Sequence, residues 1–472
     1  MNAVIDRDDV PVLNGINGAT GSYLSALSLD QIARIARGEP VEAIVSSELR
    51  VRHEATDLTF GAPLGIDPQD LAQVGWGVVF AHDVAAEVVQ ALKPLLDLRR
   101  AQSGDLFKTF ADANAYRPGE KARAWLGRNG AELGEAQVKR VPYYLLIVGG
   151  PESIPFRFQY ELGVNYAVGR IAFDSAQEYG HYAQSVMAAE QRRPSTRRAC
   201  FFAVRNDDDR ATQMSCDLLM APLAAALQAG PATTRSWQVQ TLMAAEATKA
   251  ALAGQLNGDD APALLVTASH GMGFPKDDPL QLRHQGALLC QDWPGPRAHR
   301  GAIPGEHYFS ADDVADGAST SPAIAFHFAC YGAGTPQLDD YAHADGVRAE
   351  IASAPFLASL PRRLLGRAQG GTLAVVGHVE RAWTYSFTWP GLGAQTHTFE
   401  SCLGELMKGA RVGAAMDAFS MKHADLAVSL NGELEDLKFG ARPDDRSLAG
   451  LWTANNDARS YVVIGDPAVQ IP

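Results

Sequence analysis

The chain has 472 residues, 46% of them hydrophobic and 20% charged, which excludes wholesale disorder and predicts two or three globular domains. Its formal charge of −13, with no long Lys/Arg run, excludes a phosphate-backbone partner, so nucleic acid is not expected. Five scattered cysteines (Cys200, Cys216, Cys290, Cys330 and Cys402) make no disulfide framework and fit a reducing compartment.

Met1–Asp9 is charged and lacks the apolar core of a signal peptide, and no apolar run approaches the roughly 20 residues that span a bilayer. The cytoplasm is therefore the expected location, with no membrane partner. Residues 1–61 read as a turn-rich extension of unassigned role, with Asn14-Gly15-Ile16-Asn17-Gly18 as its turn signal and one helix at Ser28–Arg37. Residues 62–190 form a first α/β subdomain, whose first clear strand is Tyr143–Val148 and whose last helix is Ser175–Glu190. The Arg-Arg-Pro-Ser-Thr-Arg-Arg stretch ending at Arg198 separates it from a larger α/β subdomain at 199–472. There the short apolar strands Ala199–Val204, Ala263–Ala268, Ala323–Ala329, Thr372–Val376 and Tyr461–Ile464 alternate with helical patterns. The helices expected are Thr212–Gln228, Ala244–Gln255, Pro355–Gly366, where Pro361 invites a kink, and Phe399–Lys408. Such alternation predicts an α/β fold with a mostly parallel sheet.

Two of these strands run straight into reactive residues. Leu264–Ala268 leads into Ser269-His270-Gly271, and Ile324–Ala329 leads into Cys330-Tyr331-Gly332. In a parallel sheet both side chains emerge at the carboxyl ends of strands, where α/β proteins place their sites, and 330 − 270 = 60 residues suffices for the crossover between them. An imidazole beside a thiol makes a nucleophile for acyl carbons, and the N–H groups of Gly271 and Cys330 are placed to hold an oxyanion. Taken singly, a cysteine closing a buried strand is more often a small core hydrophobe, and a lone histidine there is more often structural. The metal pairing of His327 with Cys330 is disfavoured, because an offset of three points to opposite faces of a strand.

Ala268-Ser269-His270-Gly271 and Phe328-Ala329-Cys330-Tyr331-Gly332 resemble the His-Gly and Ala-Cys signatures of the caspase-like cysteine peptidases, the group of caspases, separase, CHAT proteases and gingipains. The gingipain-like branch fits best. Tyr144–Pro155, with Gly149-Gly150, Glu152 and Ile154-Pro155, and Ala167-Val168-Gly169-Arg170-Ile171 are similar to its segments, and the likeness spans roughly residues 140–400. The resemblance implies a caspase-like three-layer α/β/α sandwich and a thiol endopeptidase with His270 as base, Cys330 as nucleophile and Gly271 beside the oxyanion. It implies no cofactor and a protein or peptide substrate; bacterial relatives often act on a co-encoded effector in a regulatory or defence pathway. Trp383, in Gly377-His378-Val379-Glu380-Arg381-Ala382-Trp383, matches a pocket-lining Trp of that branch, although a packing Trp is the alternative; Glu380 is a further pocket candidate. Arginine-specific relatives place an Asp after the strand matching Ala199–Val204. Here Asp207, Asp208 and Asp209 lie nearby while Gln213 stands at the matching place, so an acidic pocket for a basic side chain is one expectation and a solvated loop another. Asp207 is a candidate to orient His270. Asp277/Asp278 and Asp339/Asp340 are candidates to line the cleft or bind Ca²⁺, without hard-cation spacing. Self-cleavage would fall near Lys276–Pro279 or Arg297–Gly305. The competing class is a catalytically silent scaffold of the same fold.

Overall fold

The computed structural model describes residues 11–24, 27–37, 65–132, 134, 136–191, 197–231, 234, 236–258, 261–316, 321–344, 347–389, 392–440 and 444–472. Runs of β-branched and aromatic residues bounded by Gly, Pro and Asp form short strands, ten of which make one sheet. Its order is β3 (Phe107–Phe110), β2 (Trp76–Phe80), β4 (Tyr144–Val148), β5 (Ala167–Ile171), β20 (Tyr461–Gly465), β17 (Ala374–His378), β12 (Ile324–Phe328), β8 (Leu264–Ala268), β6 (Arg198–Ala203) and β7 (Gln238–Met243). Every neighbouring pair is parallel except β17 with β20. Two parallel halves thus run in opposite directions and meet at that one antiparallel seam.

All residues of β2, β4, β5, β8, β12, β17 and β20 are buried, so both faces of the sheet are covered. One cover pairs the helix Ala86–Ser103 with Ala176–Gln191; another packs Asp417–Lys438 against Asp445–Arg459 and His397–Met407. A second sheet orders β1 (Gly15–Asn17), β9 (Gly271–Gly273), β10 (Leu288–Leu289) and β11 (Tyr308–Phe309). Three ribbons pair β13 (Gly334–Thr335) with β16 (Phe356–Leu357), β14 (Leu338–Ala344) with β15 (Val347–Glu350), and β18 (Thr388–Trp389) with β19 (Gly393–Ala394).

The parallel α/β architecture matches the expectation from alternation. The strands of residues 62–190 and of 199–472 share one continuous sheet, into which the C-terminal β20 inserts beside β5. Most of the expected linker, residues 192–196, lies outside the described residues. Three local expectations change. Gly15–Asn17 is extended strand rather than turn, because its backbone pairs with Gly271–Gly273. Pro361 sits in the first turn of the helix Ser359–Leu365, where a missing N–H costs no intrahelical bond, so no kink results. Thr212–Gln228 is helical but opens into a π segment at Ser215–Met220.

Candidate active site

β6, β8, β12 and β17 are consecutive neighbours in the sheet, and the segments leaving their carboxyl ends converge. Ala268 pairs with Phe328, and His270 and Cys330 each follow that register by two residues. Tyr331 takes a left-handed backbone (φ 58°) and Glu380 another (φ 77°), joined by a bond from Tyr331 N–H to the Glu380 carbonyl at 2.6 Å. Strained backbone at that point turns the chain sharply after Cys330.

His270 is wholly buried, and its Nε2 lies 2.5 Å from Asp209 Oδ2. Its Nδ1 has no hydrogen-bond partner among the described residues. An ionised Asp209 assigns the ring proton to Nε2 and leaves Nδ1 with a lone pair, the state a base requires. Asp209 also accepts from Tyr23 Oη at 2.5 Å, Thr212 Oγ1 at 2.9 Å and Ala211 N–H at 3.1 Å. Burial pushes its carboxyl up, but the charge and hydrogen bond of His270 and the bonds from Tyr23 and Thr212 outweigh it and hold it below the usual carboxylate value.

Cys330 is also wholly buried, and burial pushes its thiol up to about 12. Ala382 N–H donates to Sγ at 3.2 Å. The N–H groups of Gly271 and Cys330 both donate to one oxygen, the Asn14 carbonyl, at 2.9 and 3.0 Å. Only glycine fits at 271, since a Cβ there would overlap the Cys330 backbone carbonyl. Two N–H donors aimed at one carbonyl oxygen beside a thiol can stabilise charge developing on that oxygen.

The pocket candidates separate. Asp209, not Asp207, orients the histidine: Asp209 caps the helix Arg210–Met214 and is fixed inward, while Asp207 is solvated and paired with Arg205. Gln213 donates to the Asn206 and Asp207 carbonyls and braces the same loop. Asp208 accepts from Arg297 N–H. Both oxygens of Asp209 are taken by Tyr23, His270 and Thr212, so of the triplet only Asp207 and Asp208 lie on the loop surface side of the helix cap. Trp383 is buried, pairs through its backbone with Leu13, donates its backbone N–H to Asp457 and packs its ring on Tyr341. Glu380 bonds Arg381 and lines a cavity of about 430 Å³ whose walls include neither His270 nor Cys330. Asp339 is held by Arg381 and Asp340 by Arg348 and Arg459. His327 bonds Thr267 and is pushed down to about 4 by burial, as for a core histidine. Asn14, Tyr23, Ser215 and Ser269 carry no local signal in the sequence beyond Asn14-Gly15, which reads there as a turn.

No protein-family model and no curated protein matches the sequence. Among solved structures the chain is similar to a protease, at 11% identity over 85% of this chain and 80% of that one, with a TM-score of 0.50. Saccharomyces cerevisiae separase–securin complexes solved at 3.0 and 2.6 Å are more distant, at 9% and 10% identity over 69% of this chain. They cover 15% and 16% of those chains, with TM-scores of 0.31 and 0.30. The first likeness shows the fold, a mixed α/β structure with a large, mostly parallel sheet.

Proposed function

We propose that the protein is a cysteine endopeptidase of the caspase-like group, closest to its gingipain-like branch, with Cys330 as nucleophile and His270 as general base. The observation that supports this reading most is the convergence of the Gly271 and Cys330 N–H groups on a single carbonyl oxygen beside the thiol. On a substrate, His270 Nδ1 takes the thiol proton, the thiolate attacks the carbonyl carbon, and the two N–H groups hold the oxyanion. The imidazolium then protonates the leaving amine, and water activated by the same ring hydrolyses the thioester. Asp209 keeps the proton on Nε2 and stabilises the imidazolium.

A protein or peptide substrate goes with this chemistry. A co-encoded effector in a bacterial regulatory or defence pathway, met in the cytoplasm, extends the proposal on the sequence resemblance alone. The rival scaffold reading draws on the burial of both His270 and Cys330. A proteome-derived peptide library incubated with the full-length protein and read by mass spectrometry separates the two. Cleavages present with the wild type and absent with Cys330→Ala and His270→Ala are expected; identical peptide maps for all three would leave the scaffold reading.

A further inference from the structure

Residues 12–17 run past the carboxyl ends of β8, β12 and β17, with Leu13 and Ile16 buried and the backbone between them bonded to the segments that leave those strands. Asn14 N–H donates to the Ala382 carbonyl at 2.9 Å, and Thr384 N–H donates to the Val12 carbonyl at 3.0 Å. Leu13 forms an antiparallel bridge with Trp383. Past Asn14 the chain continues as β1, pairing Gly15, Ile16 and Asn17 in parallel with Gly271, Met272 and Gly273. The segment therefore adds a strand on both sides of the Asn14 carbonyl, as an extended peptide does when it is recognised through its backbone. Gly15 lies against the thiol: a Cβ built on it would fall 2.7 Å from Cys330 Sγ, so only glycine allows this approach.

We infer that the Asn14–Gly15 bond is held in the site as a substrate bond, that Cys330 cleaves it, and that the site selects asparagine before the cut. The inference rests on the peptidase reading and names its substrate class. The Asn14 side chain is wholly buried, its Nδ2 3.2 Å from Ser215 Oγ and 3.4 Å from the Ser269 carbonyl. The Ser269 carbonyl needs a donor, which asparagine has and ionised aspartate lacks. Arginine or lysine would bring a charge to a buried position whose partners are a hydroxyl and a backbone carbonyl, while both oxygens of Asp209 are already bonded to Tyr23 and His270. Ser215 opens the π segment Ser215–Met220, and its hydroxyl meets the Asn14 amide.

The chemistry balances without a further reactant except water. The Sγ–C bond to Asn14 forms as the Asn14–Gly15 C–N bond breaks, and the thiol proton leaves on the new Gly15 amine through His270. Water then hydrolyses the thioester, giving an Asn14 carboxylate and restoring the thiol.

The test uses the full-length wild type, Cys330→Ala and Asn14→Arg, followed by intact mass and N-terminal sequencing, with an acyloxymethyl-ketone probe for Cys330 in parallel. A new N-terminus at Gly15 is expected in the wild type. None is expected in Cys330→Ala, and release should be at least about 100-fold slower in Asn14→Arg, as when a buried polar site loses its partner. An intact bond in a wild type whose Cys330 takes the probe overturns this inference and leaves the peptidase reading standing, as does equal release from Cys330→Ala. A wild type that neither cleaves nor takes the probe overturns the peptidase reading and this inference with it.

Discussion

Asp209 does two jobs at once: it caps the helix Arg210–Met214 and holds His270 by its Nε2. Asp209→Asn keeps the cap and size but removes the charge that fixes the tautomer. We expect kcat on a cleaved peptide to fall by about 10²–10⁴ with little change in KM, by analogy with other orienting carboxylates. The same carboxyl sits below its ordinary value of 3.8 when folded, so its stabilising contribution is present above that pH and is lost as pH falls through the folded value. Melting temperatures of wild type and Asp209→Asn should differ at pH 7 and draw together only as pH falls below 3.8. For Cys330 the sign is opposite: burial pushes the thiol up, so its proton has to pass to His270 as the thiol attacks rather than be lost beforehand. Three adjacent aspartates could not reveal which one faces inward; the deciding signal was the helix start at Arg210, which makes Asp209 the cap.

The strands that carry the site were legible because each is a short apolar run with a Gly, Cys or His stop, and β8, β12 and β20 fall within two residues of their expected limits. Helices were less legible. Asp417–Lys438 runs 22 residues but buries only Phe419, Ala424 and Leu430, so its apolar stripe is too thin to stand out. Nor could local pattern show that Asn14-Gly15 is extended, since its conformation comes from pairing with β9, far away in the chain. Gly271 offers more than an oxyanion donor: its missing side chain makes room for the Cys330 carbonyl. Gly271→Ala should therefore abolish peptide cleavage even where circular dichroism shows the fold retained. Full activity would mean that the two strand ends are not this close.

Across the molecule, the continuous sheet ties residues far apart in the chain. β20 ends the half that begins with β3, at the seam with β17, and Asp466 just beyond it accepts from Trp76 and from the wholly buried Arg99 of that same half. Arg99→Leu leaves Asp466 buried without its cation and should cost about 3–5 kcal/mol in chemical denaturation. A loss below about 1 kcal/mol would show that the pair does not tie the C-terminal strand to residues 62–190. The site itself lies wholly at strand ends of one half, where β6, β8, β12 and β17 deliver Asp209, His270, Cys330 and Ala382. The most direct measurement is the intact mass of the full-length protein after an acyloxymethyl-ketone probe, which alkylates a thiolate set to attack an acyl group. One adduct mapped to Cys330, absent from Cys330→Ala and strongly reduced in His270→Ala, is the expected result. Adducts at other cysteines alone, or equal labelling of wild type and Cys330→Ala, would contradict a catalytic Cys330.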